Sequence, residues 1–149
     1  MRSMIFPWFS AVASGALVVM FSPSALSMPQ ASVRDVAEHL DVLSFPNSLR
    51  PLHREHAHQF KDYGFNHFEN KNHGRGAGSF EDDGTWYFEV DLIADQGPRK
   101  LICVRDEAVN GGTYHSSAPY EVMLGKDGLY HVTPRQLEPI ADCPESPVP

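Results

Sequence analysis

The sequence predicts an α+β domain: an N-terminal helix packed on an antiparallel β-meander of four to six strands, with a disulfide-tethered C-terminal tail. Three observations lead to that fold class. Val33, Val36, Ala37, Leu40 and Leu43 recur at helical spacing. Strand-like alternation and turn residues pattern residues 63–133. Two cysteines, Cys103 and Cys143, stand 40 positions apart in a chain that begins like an exported protein.

Arg2 supplies a short positive region, residues 9–21 carry no charge, and Ser22, Pro23 and Ser24 break the apolar run. Ala25-Leu26-Ser27 then puts small residues at the two positions a signal peptidase reads, so cleavage after Ser27 is expected. A retained anchor is the alternative, because residues 5–21 approach the roughly 17-residue lower limit of a spanning helix. Pro7, Ser10, Ser14 and Gly15 dilute that run. The expected organisation is a signal peptide over residues 1–27, one domain over 28–133, and a proline-rich tail over 134–149. Periplasmic or secreted localisation follows, with no stable membrane insertion after cleavage.

Of 12 basic residues only Arg2 lies in the signal segment, so the processed chain carries 11 against 19 acidic residues, a formal charge of −8. That balance disfavours nucleic acid and anionic membranes as partners. In an exported chain an even cysteine count reads as a disulfide, and the absence of a CxxC argues against redox work.

The elements follow in order. Ser32 caps the first helix, with Asp35 three residues on in a capping-box arrangement, and Phe45-Pro46 ends it after about three turns. Residues 48–60 form a second short helix or an ordered loop, with Ser48 as cap and Pro51 in the first turn. Residues 63–68 are a possible strand. Residues 77–81 pair through Asp83-Gly84 with residues 85–93, in which Trp86, Phe88, Val90 and Leu92 alternate with Tyr87, Glu89 and Asp91. Residues 95–98 turn the chain into residues 100–105 (KLICVR), a central strand by its apolar density. A connection over residues 106–112 leads to a second hairpin, residues 120–124 and 129–133, joined by Lys126-Asp127-Gly128. The tail has prolines at 134, 139, 144, 147 and 149 and cannot continue a sheet.

Eight histidines are the compositional outlier, and His53, His56 and His58 form an HxxHxH cluster. Imidazole binds Zn²⁺ and Cu²⁺, which makes these three a candidate metal site. On one regular helix His58 lies about 200° round from His56, so the site would need His67, His73 or a carboxylate from elsewhere. The glycines at 74, 76 and 78 do not form a phosphate loop and read as a flexible or bulged strand entry. Residues 106–117 (DEAVNGGTYHSS) combine carboxylates, glycines and an aromatic between two strands, as functional loops do. Asp106, Asn110, Tyr114 and His115 are its candidate ligand-binding residues.

The sequence contains no HExxH, GxSxG, P-loop or CxxC, and it implies no cofactor and assigns no catalytic residue. It favours a small exported binding module that recognises a protein or a cell-envelope component. The alternatives are a small periplasmic enzyme using His115 with Asp106 or Glu107, and a metal-binding protein built on the histidine cluster.

Overall fold

The computed structural model describes residues 31–46, 53–135 and 137–143. The expected signal peptide and its cleavage site lie outside them, as do residues 47–52 and the last six residues of the tail. The described chain is mostly one six-stranded antiparallel sheet with a single short α-helix. The strands are β1 (Glu69–Lys71), β2 (Gly76–Phe80), β3 (Trp86–Gln96), β4 (Arg99–Ala108), β5 (His115–Leu124) and β6 (Tyr130–Val132), in the meander order β1-β2-β3-β4-β5-β6. No helix among the described residues is long and apolar enough to cross a membrane.

The helix α1 spans Val33–Glu38, about half the expected length. Ser32 caps it, its hydroxyl accepting from the Asp35 amide at 3.1 Å. The helix stops early because the next residues bond the sheet edge: the His39 carbonyl accepts from Tyr130 N at 2.8 Å, and Asp41 N donates to the Tyr130 carbonyl at 2.9 Å. A backbone paired with β6 cannot also continue the i→i−4 ladder. Leu40 stays buried, and residues Val42–Ser44 form a 3₁₀ turn capped by the Asp41 carboxylate.

The alternation in β3 sets the core. Trp86, Phe88 and Val90 are buried together with Val33, Val36 and Ala37 of α1, with Ile102 and Val104 of β4, and with Val122 of β5. Residues 63–68 do not form the expected strand: Phe60–Tyr63 is a 3₁₀ turn closed by Gly64 at φ 96°, and irregular chain follows to β1. Phe65 and Phe68, three residues apart, both pack against Phe88, with ring centroids 6.2 and 6.5 Å away. A strand of period two would send them to opposite faces. Residues 53–59 form an ordered loop, held where the Tyr63 hydroxyl donates to the Ala57 carbonyl and accepts from Arg54 N, both at 3.0 Å.

Cys103 of β4 and Cys143 of the tail form a disulfide, with Cα atoms 5.4 Å apart. Both are fully buried, and the bridge fastens the tail at Cys143 to the sheet face opposite α1.

Candidate functional site

The segment 106–117 is not a loop throughout. β4 runs on through Asp106, Glu107 and Ala108, and β5 begins at His115, so residues 109–114 alone make the connection. The register pairs Glu107 with His115 and Asp106 with Ser116. Successive residues of a strand point to opposite faces, so Asp106 and His115 are separated by the sheet.

Asp106 is 1% exposed on the core face, where its carboxylate accepts from the indole N–H of Trp86. Tyr114, 44% exposed, stacks on Trp86 with ring centroids 5.2 Å apart. Burial raises the Tyr114 pKa, and the nearby Asp106 charge raises it further. Asn110 is spent on the turn: its side chain accepts from Gly112 N at 3.2 Å beside Gly111 at φ 88°. His115 lies across the sheet, its Nδ1 2.8 Å from Glu107 Oε2. Of the two carboxylates the sequence offers His115, the fold brings Glu107 to it and sends Asp106 to Trp86 and Tyr114.

His115 and Glu107 belong to a row that crosses four strands. Phe80 of β2 pairs with Tyr87 of β3, Tyr87 with Glu107 of β4, and Glu107 with His115 of β5. Phe80 is 55% exposed and its ring lies 4.8 Å from that of Tyr87. The Tyr87 side chain leans across β2 at Gly78, where a Cβ atom would stand 2.0 Å from its hydroxyl. That hydroxyl donates to Glu89 Oε2 at 2.6 Å. Burial, then the bond to Glu89, holds the Tyr87 pKa far above the ordinary tyrosine range.

Behind this row the same face carries an ordered polar ladder. The Arg105 guanidinium spans two carboxylates, Glu89 at 2.8 Å and Asp91 at 2.9 Å, and Asn72 donates to Asp91 at 3.0 Å. Gly76 admits that contact, since a Cβ there would lie 2.4 Å from Asp91 Oδ1. Gly76 and Gly78 therefore clear space for cross-strand side chains; they do not act as a flexible strand entry. Sequence reasoning missed that Phe80, Tyr87, Glu89, Asp91 and Arg105 share one face of the sheet with His115. The available signal was the alternation of Tyr87, Glu89 and Asp91 beside small residues in the partner strand.

The histidine cluster does not converge. His53 and His56 are exposed, and His56 adopts φ 68° in the loop before the 3₁₀ turn. His58 instead reaches Asp41, Nδ1 to Oδ1 at 3.0 Å. The other Asp41 oxygen meets His131 Nδ1 at 3.0 Å, and His131 Nε2 meets Asp127 at 2.9 Å. His67 and His73 are also exposed. Among the described residues no group of three or more His, Cys, Asp or Glu side chains is arranged to hold a metal ion.

The His58–Asp41–His131–Asp127 chain is electrostatic. A neutral imidazole has one N–H, yet both nitrogens of His131 face carboxylates, which favours the imidazolium. Its pKa is raised, chiefly by the bond to Asp127, and that of Asp127 is lowered, chiefly by the bond to His131.

No protein-family model matches this chain, and no curated protein or solved structure shows significant similarity to it.

Proposed function

We propose that this chain is an exported binding module without catalytic activity, and that it recognises a protein partner through the end of the sheet that carries the Phe80–Tyr87–Glu107–His115 row on one face and Tyr114 on the other. The observation that carries this reading is an aromatic pair at the surface: Phe80, 55% exposed, in tilted ring contact with the half-buried Tyr87, in one register row with a His–Glu pair. Aromatic side chains bury large area at low conformational cost, and they dominate the energetics of protein interfaces. The acidic balance of the chain favours a basic partner surface by electrostatic complementarity. The enzyme reading keeps one specific observation in its favour, the 2.8 Å contact of His115 with Glu107. Two cavities, of about 670 and 640 Å³, lie away from His115, and catalytic sites are typically concave.

The test ranks substitutions. Tyr114→Ala and Phe80→Ala should each weaken partner capture by about fivefold or more, equivalent to about 1 kcal/mol. His115→Ala should weaken it less. An enzyme using His115 as a general base would give the reverse ranking, with turnover falling about a hundredfold in His115→Ala. That ranking, or capture unchanged in both aromatic variants, overturns the proposal.

A further inference from the structure

A cavity of about 670 Å³ opens at the opposite end of the sheet from the aromatic row. Its walls come from α1, from the β3–β4 turn and from the β5–β6 turn, and its volume lies within the range of small-molecule sites. Lys100 lines it and is only 2% exposed. Burying an ammonium costs several kcal/mol unless it is paired and hydrogen-bonded. Lys100 Nζ is held by Asp95 Oδ1 at 2.6 Å and by the Gly97 carbonyl at 2.8 Å, and lies 5.9 Å from the Tyr130 ring centroid. An ammonium has three N–H donors, and no acceptor among the described residues takes the third.

The surroundings constrain what takes that donor. Pro98, Leu124 and Tyr130 supply apolar wall. Asp95 already neutralises the Lys100 charge, and Asp35 adds a second carboxylate to the lining, with the His39 ring 3.4 Å from it. An anionic ligand would meet two carboxylates, and a cationic ammonium has no acceptor to offer the third N–H of Lys100. Each like-charge contact is unfavourable in a partly enclosed site.

We propose that this cavity binds a small uncharged molecule with an apolar body and one carbonyl-type acceptor. The acceptor sits on the third N–H of Lys100, and the body lies against Leu124, Pro98 and the Tyr130 ring. This site is independent of the aromatic row, so neither reading depends on the other.

The experiment is an amide NMR titration of the exported chain with three probes sharing one body: 4-phenyl-2-butanone, 3-phenylpropanoate and 3-phenylpropylamine. The ketone should give saturable shifts at Gly97, Leu124 and Gly128, with the acid and the amine binding about tenfold more weakly or not at all. Leu124→Trp places an indole at a wall position that is 42% exposed, outside the core, and should abolish the ketone shifts while the chain stays folded. Lys100→Met, if it folds, should abolish them too. Should Lys100→Met not fold, Leu124→Trp and the three-probe ranking decide alone. Absence of saturable shifts, equal affinity for a charged probe, or shifts that persist in Leu124→Trp would overturn the proposal.

Discussion

Gly78→Ala separates a glycine kept for space from one kept for backbone freedom. Gly78 lies in β2 and does not adopt positive φ, so its backbone suits alanine. The obstacle is Tyr87: the new Cβ would stand 2.0 Å from the phenol oxygen and 2.7 Å from Cζ. Tyr87 must swing away, which breaks its 2.6 Å bond to the buried Glu89 and its stack with Phe80. A hydrogen bond to a charged acceptor contributes about 1.5–3 kcal/mol. Replacing glycine by alanine in an extended element returns about 0.5–1 kcal/mol. The net expectation is a loss of about 1–2 kcal/mol, read as a lower urea midpoint at unchanged slope.

A double-mutant cycle then assigns the loss. In a Tyr87→Ala background the clash is gone, so Gly78→Ala should be neutral or stabilising. Ultraviolet titration supplies a second readout, because Tyr87 should fall back toward the ordinary tyrosine value of 10.0 once it leaves Glu89. If Gly78→Ala costs the same with and without the Tyr87 side chain, or leaves the tyrosine titration unchanged, the glycine serves another purpose and the reasoning fails.

Other expectations are independent of that row. Cys103→Ser should cost about 2–5 kcal/mol in urea unfolding, and two free thiols in the non-reduced protein would contradict the bridge. Stabilisation from the raised pKa of His131 is complete below 6.5 and is lost as pH rises through the raised value. Stabilisation from the lowered pKa of Asp127 is complete above 3.8 and is lost as pH falls through the lowered value. The stability gap between wild type and His131→Gln should therefore be widest between pH 3.8 and 6.5 and shrink in alkali; a gap independent of pH would refute the imidazolium assignment. Mass measurement of the exported protein should give a chain starting at Met28, and a full-length membrane-bound product would sink that processing.

Much of the sheet was legible in the residues. The alternation from Trp86 to Leu92 reports a half-buried strand because side chains in extended backbone alternate faces. Asp83-Gly84 and Lys126-Asp127-Gly128 mark turns, and the structure has Gly84 at φ 69° and Gly128 at φ 82°. Two cysteines in a chain with an export-like start suffice to expect a bridge, because no other pairing within the chain exists.

The ends of elements and the neighbours of His115 were decided elsewhere. Asp106, Glu107, Ser116 and Ser117 have weak strand preference, so local pattern assigns them to a loop; pairing between β4 and β5, with the Trp86 indole satisfying Asp106, overrides it. The apolar spacing from Val33 to Leu43 is helical throughout, yet the backbone after Glu38 turns to Tyr130 on β6, a partner about 90 residues away that no local window contains. Gly76 and Gly78 read as flexibility because a glycine in a sequence does not name the side chain that fills its space. Residue type and spacing determined which segments could extend and which faces could be buried. Which polar group meets which depends on cross-strand register, and that register is a property of the assembled sheet alone.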